Sequence, residues 1–287
     1  MDTDTTSTQE RQERQESDPI LDEAAVKPTN PVIEALSSVG EIARFAGQVI
    51  RDLPTVRKYA GDVLHQAALL VLSSGLIIWL MQAVIGYECG LEGSYTLKQI
   101  GAPAYSGIFN AWCGVREMAP YMWGYIFAAK VGCGLVAELG SMRIADEIDA
   151  LEVMGIHTRS YLVGTRVLAV WIAMPFLYII GLGVMYSAEY VITVLTLGGV
   201  SSGGYLYIFW LYQNPYDFFA SLAKVMTMGT IICFVGCYYG FTAKGGPVGV
   251  GQNTAKSMML NMVLIHVVGM LGTAFFWGFS PNAPVAN

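Results

Sequence analysis

The segment Val63–Tyr87 reads VLHQAALLVLSSGLIIWLMQAVIGY and contains no Asp, Glu, Lys or Arg. At a rise of about 1.5 Å per residue, a helix of this length is longer than the roughly 30 Å hydrocarbon core of a bilayer. Four more long apolar runs follow along the chain: Ala119–Ala137, Val167–Leu195, Phe218–Phe241 and Met258–Trp277. The sequence therefore predicts an all-α membrane protein with five transmembrane helices.

The composition of the 287-residue chain agrees with a membrane location, since 54% of its residues are hydrophobic, only 13% are charged and the mean hydropathy is +0.48. Eight of the 22 acidic residues lie within the first 23 positions. We expect residues 1–30 to form a disordered polar tail, because this segment has too little apolar surface to bury. It also lacks the apolar core of a secretory signal peptide, so we expect the mature protein to keep it.

The basic residues predict the orientation of the chain in the membrane. If the N-terminus is cytoplasmic, the outer loops hold only two basic residues, Lys98 and Arg116. The inner segments then hold nine: Arg44, Arg51, Arg57, Lys58, Arg143, Arg159, Arg166, Lys244 and Lys256. This positive-inside bias predicts a multi-pass protein of the plasma (inner) membrane with a cytoplasmic N-terminus and a short external tail, 281–287.

A helix with one apolar stripe is predicted just before the first span. Its apolar residues are spaced alternately four and three apart: Val32, Leu36, Val39, Ala43, Ala46, Ile50 and Leu53. Such a helix fits the membrane interface, which makes 31–62 an amphipathic interfacial region and 63–280 the transmembrane domain. The alternative is a cytosolic helix packed on a partner protein.

Three ionisable residues within or beside the predicted spans are candidates for a translocation path or an intramembrane charge: Glu117, Lys130 and Lys224. A lysine at the bilayer centre costs roughly 2.5–3.5 kcal/mol on insertion scales, which argues against a lipid-facing Lys130. Snorkelling is the alternative for both lysines, since Lys130 lies about 12 Å along the helix from Glu138 and Lys224 lies close to the outer end of its span.

No catalytic, metal or cofactor site is predicted. The five cysteines have no metal-ligand spacing, but Cys89 and Cys113 share the predicted external loop 88–116 and can form a disulfide in an oxidising compartment. The predicted cytoplasmic loop 241–257 reads FTAKGGPVGVGQNTAKS, and it is not a Walker A loop because Gln252 follows Gly251. HExxH, nucleophile-elbow and CxxC motifs are also absent from the sequence.

The segment Glu138–Ile156, ELGSMRIADEIDALEVMGI, is predicted to be an amphipathic helix on the cytoplasmic face that ends at Gly155. Its apolar stripe consists of Ile144, Ile148, Leu151 and Met154, and its acidic face consists of Asp146, Glu147, Asp149 and Glu152. Anionic lipid surfaces attract Lys and Arg rather than acids, so a protein partner explains the acidic face better than the membrane does. A merely solvated face is the alternative.

Several motifs resemble those of the MlaE/YrbE permease family. The central group consists of REMAP (116–120), AKVG (129–132), AELGSMR (137–143) and EIDALEVMG (147–155). A second group consists of YGF (239–241), KGG (244–246) and GVG (249–251), and the similarity covers roughly residues 31–280. Lys130 stands where the family usually has arginine, so a bidentate contact would be lost there. The long polar tail favours an actinobacterial YrbE subunit of an Mce system.

This resemblance implies an MlaE-like fold, in which the five spans follow an interfacial helix. It implies a dimeric lipid permease joined to a cytoplasmic ABC ATPase dimer and to extracytoplasmic MCE-domain proteins that carry the substrate. A heterodimer with a second YrbE-type permease and lipid import are expected, with no role for nucleic acid. The region 138–156 would couple the permease to the ATPase, through Glu138, Arg143, Asp146, Glu147, Ile148, Asp149, Leu151, Glu152, Met154 and Gly155.

Two other classes of function are open to the sequence. An ion-coupled secondary transporter of a hydrophobic substrate needs buried ionisable residues near the bilayer midplane, for which Lys130, Lys224 and Glu189 are candidates. Such transporters are commonly built from internal repeats, and the two halves of this chain show none. A membrane-embedded enzyme would need a nucleophile with a base or a metal set, and the sequence offers neither.

Overall fold

The computed structural model describes residues 31–279, with only the backbone described for residues 31–36 and 38. The predicted tails, 1–30 and 281–287, lie outside the described residues. The described backbone is almost entirely helical and contains no strand. Contacts divide the chain into two units, one up to Arg44, whose described part is helical, and one that starts at Phe45. The first part of α1 belongs to the first unit, and the contacts and sites described below all lie in the second.

Ten α-helices make up most of residues 31–279. They are α1 (Pro31–Asp52), α2 (Ala60–Gln99), α3 (Ser106–Cys113), α4 (Ala119–Phe127), α5 (Cys133–Ile144), α6 (Glu147–Val153), α7 (Thr165–Tyr190), α8 (Ser202–Leu211), α9 (Pro215–Phe241) and α10 (Gly246–Trp277). Tight 3₁₀ turns occupy Leu53–Tyr59 and Pro103–Tyr105. Wider π-helical turns occupy Gly114–Met118, Ala128–Gly132, Arg159–Gly164 and Val191–Thr196.

Five helical stretches of residues 31–279 are long and apolar enough to cross a membrane, which confirms the predicted number of spans. The first contains α2, and the second runs through α3, α4 and α5 without leaving helical geometry. The third contains α7 with its flanking π turns, and α9 and α10 are the fourth and fifth. The chain is therefore a multi-pass all-α membrane protein.

The two predicted loops are wrong in extent, because most of their residues are helical. Helix α2 continues to Gln99 and α3 starts at Ser106, so the predicted loop 88–116 shrinks to residues 100–105. The glycines that indicated a loop are contact points, since Gly90 faces Ile192 and Gly93 faces Phe109. Likewise, α10 starts at Gly246, so only residues 242–245 remain of the loop 241–257.

Helix α9 is the centre of the bundle. It packs against α5, α7 and α10, while α2 lies along α7. The core between these helices includes the stacked rings of Trp123 and Phe127 and the buried side chains Met174, Leu177 and Ile232. Large apolar side chains on the outer faces of α2 and α10 are exposed, as lipid or subunit contacts require: Leu72, Leu76, Val263 and Phe275.

Glycines allow close contact between spans at the core. Gly236 of α9 faces the backbone of the second span, where a Cβ atom would lie 2.9 Å from the carbonyl oxygen of Gly132. Gly86 of α2 faces the backbone of Met185 in α7, and a Cβ atom there would collide with the Met185 carbonyl group. Small residues thus set the distances between helices in this bundle.

The substitution Gly86→Ala should lower the stability of the protein by roughly 1–3 kcal/mol, because the added methyl group forces α2 and α7 apart. Gly183→Ala, on α7, is the matched control, since no atom lies within 4 Å of the new methyl group. The control should be neutral or slightly stabilising. The midpoint temperature of unfolding in detergent measures both changes, and equal midpoints would contradict the packing described.

Candidate functional site

A network of four charged residues, Arg116, Glu117, Asp217 and Lys224, joins the second and fourth spans. Asp217 is fully buried and forms an ion pair with Arg116, whose Nη2 lies 2.7 Å from Asp217 Oδ2. The second carboxylate oxygen, Oδ1, accepts a hydrogen bond of 2.7 Å from the indole of Trp277. Both oxygens of this buried carboxylate are therefore satisfied, and α10 is tied to the pair.

Lys224 is the second cation of the charge network and is only 2% exposed. Its ammonium group donates to the Arg116 carbonyl oxygen at 2.7 Å, to Thr273 Oγ1 at 2.9 Å and to Glu117 Oε2 at 3.2 Å. Thr273 in turn donates to the other Glu117 oxygen at 2.6 Å. The snorkelling alternative for Lys224 is wrong, because all three of its donors are used inside the bundle.

The sequence identified Glu117 and Lys224 but not that they pair, and it missed Arg116 and Asp217. Arg116 was assigned to the external loop, and Asp217 lies one residue before the predicted fourth span. A signal was nonetheless present, since an acid and a base at the ends of two spans are expected to pair inside a bundle. The four charges sum to zero, as a buried network requires.

The segment Glu138–Ile156, here called the coupling segment, is not one helix. The prediction of a continuous helix over these residues is therefore wrong. The second span continues as α5 to Ile144, and α6 starts anew at Glu147. Between them Asp146 adopts φ 57°, a left-handed conformation that Asp tolerates better than most residues. Gly155 has φ 80° and lies just after α6, in the position expected for it.

The break at Asp146 changes which side chains form the apolar and acidic faces that the sequence predicts for this segment. Ile148 is fully buried and Leu151 is half-buried, as the apolar stripe predicts, but Ile144 and Met154 are exposed. Asp149 pairs with Arg143, and Glu152 accepts a hydrogen bond of 2.7 Å from Thr158. Glu138 pairs with Arg166 at the start of α7 and so belongs to the bundle.

Four exposed residues at the two ends of α6 are here called the docking surface: Asp146, Glu147, Val153 and Met154. Within residues 31–279, neither Asp146 nor Glu147 has a side-chain partner. Val153 is 90% exposed and Met154 67%. Asp146 and Glu147 lie at the start of α6, whereas Val153 and Met154 lie at its end, so both ends of the helix offer exposed surface to a partner.

A cavity of about 310 Å³ lies between α2, the second span and α7. Lys130, in the π turn Ala128–Gly132, lines this cavity together with Glu138 and Arg166. The sequence predicted that Lys130 faces something other than lipid. It did not predict Arg166 as a neighbour.

Cys89 and Cys113 are near neighbours within the bundle, on α2 and α3. Both thiols are free, Cys89 buried and Cys113 half-buried. Close by, Glu189 of α7 is fully buried, and neither of its carboxylate oxygens has a hydrogen-bond partner within residues 31–279. No cluster of residues 31–279 has the composition of a metal site.

Comparison with known proteins decides the family. Residues 63–275, well over half of the chain and all five spans, match the family model described as Permease MlaE. The chain belongs to the MlaE permease family. It is thus a membrane permease subunit, and its REMAP, AELGSMR and EIDALEVMG motifs lie on the second span and α6 of this MlaE permease.

Relatives of this MlaE permease include proteins named as probable ABC transporter permeases. A probable ABC transporter permease protein of Rickettsia prowazekii (strain Madrid E) is 34% identical over 247 residues, which cover 85% of this chain and 94% of the relative. One from Synechocystis sp. is 27% identical over 223 residues, 78% of this chain and 84% of the relative. The chloroplastic Protein TRIGALACTOSYLDIACYLGLYCEROL 1 of Arabidopsis thaliana is 24% identical over 233 residues, 81% and 66% respectively.

The charge network should be a stability element of this permease. Asp217→Asn keeps the shape of the side chain but removes the negative charge that pairs with the buried Arg116 guanidinium, which should cost roughly 3–5 kcal/mol. The double variant Arg116→Gln/Asp217→Asn should recover part of that loss. Unfolding midpoints in detergent measure the series.

The matched control for this series is Asp149→Asn, which breaks an exposed ion pair with Arg143 and should cost less than about 1 kcal/mol. Two results would contradict the network: an Asp217→Asn protein as stable as the wild type, or a double variant worse than the sum of its single changes.

The disulfide between Cys89 and Cys113 remains a prediction, which mild oxidation of the purified permease tests. Copper–phenanthroline should join the peptides that carry these two residues, because their thiols are neighbours on adjacent helices. Mass spectrometry after non-reducing digestion detects the link. Cys133→Ser should leave its yield unchanged, and full alkylation of both thiols after oxidation would show that they cannot meet.

Proposed function

We propose that this chain is the permease subunit of an ATP-driven lipid transporter, and that it pairs with a homologous permease and docks on a cytoplasmic ABC ATPase. The observation that carries the proposal is the docking surface on α6, because it combines free acids with exposed apolar side chains on a firmly anchored helix. The names of the Rickettsia and Synechocystis relatives support an ABC-type transporter. ATP hydrolysis would belong to the ATPase, and this chain would be non-catalytic.

The anchoring of α6 supports a mechanical role. Ile148 is fully buried beneath the helix and anchors it, and two weaker contacts, Arg143–Asp149 and Thr158–Glu152, join it to the flanking chain. Beyond Thr158, Arg159 donates a hydrogen bond of 2.8 Å to Gln48 of α1. A displacement of α6 would therefore be transmitted to α5, to α1 and to the start of the third span rather than absorbed by a loose loop.

We infer a transport cycle that these contacts support. Closure of the ATPase dimer would move α6, and the Glu138–Arg166 ion pair would carry the movement from α5 to α7. The permease dimer interface would then open or collapse a lipid-sized cavity. The state change driven by the ligand belongs to the ATPase, and this chain supplies the two-state membrane element.

Lipid is the proposed cargo, and import is the proposed direction. The name of the Arabidopsis relative contains that of a glycolipid, which supports a lipid substrate class. We further propose an unlike YrbE-type permease as the dimer partner, MCE-domain proteins on the outer side, and a plasma-membrane location with a cytoplasmic N-terminus. These partners come from the family resemblance and from the positive-inside bias.

One observation favours the ion-coupled alternative. The buried Glu189 carboxyl, without a hydrogen-bond partner among the described residues, is the kind of group that binds and releases a proton in secondary transporters. Lys224 no longer supports that alternative, because its charge network is complete. We therefore retain the ATP-driven function as the proposal.

The variant Glu147→Lys/Val153→Lys tests the docking surface. It should lower the amount of co-purified ATPase about tenfold or more, because it places two cations where acids and apolar side chains meet the partner. Insertion and thermal stability of the permease itself should not change, since both positions are exposed. Quantitative mass spectrometry of the purified complex gives the ratio of ATPase to permease.

Two further variants complete this test. Glu92→Lys reverses an exposed acid of α2 far from α6 in sequence and should leave the ATPase bound. Ile148→Asp should instead reduce the amount of folded permease, because it forces an unpaired charge into a packed site. If the double lysine variant keeps its ATPase and its transport rate, the docking surface is only a solvated face and the proposal loses its main support.

A further inference from the structure

The cavity between α2, the second span and α7, here called the inner cavity, combines apolar walls with a charged end. Its walls include Leu69, Leu70, Leu135 and Val170, which are side chains suited to hydrocarbon. Its polar lining includes Ser73, Lys130, Glu138 and Arg166. The charge network described above lies on other residues, so the inner cavity is a separate feature of the bundle.

The charges of the inner cavity do not cancel. Arg166 is only 6% exposed and forms an ion pair of 2.6 Å with Glu138, so these two charges neutralise each other. Lys130 is exposed, and within residues 31–279 it makes no ion pair or side-chain hydrogen bond. The cavity therefore carries one uncompensated cation inside a membrane-spanning stretch, where an unpaired charge is unfavourable.

A second donor, on a residue that lines the cavity, also lacks an acceptor. Arg166 Nη1 donates to the Leu162 carbonyl oxygen and Nη2 to Glu138, but the buried Nε has no acceptor within residues 31–279. Ser73 adds an exposed hydroxyl on the α2 side of the cavity. Two residues of the lining therefore have a donor group without an acceptor in the described chain, Lys130 and Arg166, whereas the Ser73 hydroxyl lies 3.4 Å from the Ser74 hydroxyl.

An anion is the chemical complement of these donors. Because the walls of the cavity are apolar, we expect that anion to be attached to a hydrocarbon chain. A free phosphate ion would satisfy Lys130 but would leave Leu69 and Val170 against water. We propose that the inner cavity binds the anionic headgroup, phosphate or carboxylate, of a membrane lipid whose acyl chain lies along α2 and α7. The role of this site in transport rests on the proposed function. The site adds a substrate class to that function, namely lipids with an anionic headgroup.

The position of the site connects it to the coupling segment. Glu138 and Arg166 line the cavity and also form the ion pair between α5 and α7. An anionic headgroup beside Arg166 competes with Glu138 for the same guanidinium group. Lipid occupancy and the strength of the α5–α7 contact are thereby linked, and such linkage between two binding events is reciprocal.

Lipid competition on the purified full chain, together with any subunits that co-purify, tests the site. Phosphatidylglycerol should bind about tenfold more tightly than phosphatidylcholine with identical acyl chains, because only the first carries a net negative charge. Lys130→Met should abolish this preference, and Lys130→Arg should retain it. Native mass spectrometry with equimolar lipids measures the ratio of bound species.

Control variants separate an effect on the lipid site from a general loss of charge or of the fold. Lys256→Met removes another exposed lysine, on α10 and outside the cavity lining, and should leave the preference unchanged. Ser73→Trp fills the cavity from the α2 side and should reduce binding of both lipids. An unchanged unfolding midpoint for each variant confirms that the fold is intact.

Three results would overturn the site: equal binding of the two lipids by the wild type, an unchanged preference in Lys130→Met, or equal displacement by free glycerol phosphate. The last would indicate a site for a free anion. The amount of ATPase in the same samples separates the two proposals. If the ATPase co-purifies but the two lipids bind equally, only the inner-cavity site is contradicted. If phosphatidylglycerol is preferred but no ATPase co-purifies, only the proposed function is contradicted.

Discussion

Polar groups inside a hydrocarbon layer must find partners within the protein, and the architecture of this bundle depends on that constraint. The pair Arg116–Asp217 joins the second and fourth spans, and the Trp277 indole brings the fifth to the same carboxylate. Lys224 repeats this arrangement with Glu117 and Thr273. A helix that moved away from this network would expose a charge to lipid. The charge network is therefore a rigid end of the bundle, opposite the end where Gly240 of α9 packs on Leu139.

The contrast between paired and unpaired charges separates structural residues from candidate functional ones. Lys224 and Lys130 look alike in the sequence, since each is a lone lysine within a span. In the folded chain Lys224 is enclosed by acceptors, whereas Lys130 faces an open cavity. The same contrast holds on the coupling segment, where Asp149 and Glu152 have partners and Asp146 and Glu147 have none within the described chain. The unpartnered members define the surfaces on which a lipid and a protein are proposed to bind.

The sequence predicted the number and order of the spans correctly, because each apolar run is long enough to cross a bilayer. It failed at their ends, because Gly90 and Gly93 indicate a loop in the sequence, whereas in the folded chain they are positions of α2 that pack against Ile192 and Phe109. Arg116 and Asp217 lie 101 residues apart in the sequence. Local sequence patterns do not predict which residues pair over such a separation. The sequence also does not predict the break at Asp146, because Asp tolerates a left-handed conformation without requiring it.

We propose that this MlaE-family permease moves lipid with energy from a separate ATPase, which acts through α6. Reconstitution of the purified complex into vesicles, with lipid transfer followed by a fluorescent lipid, tests this proposal. We expect transfer that requires ATP, persists when ion gradients are collapsed, and is lost when the ATPase is removed. Transfer that proceeds without ATP and stops when the proton or sodium gradient is collapsed would contradict it.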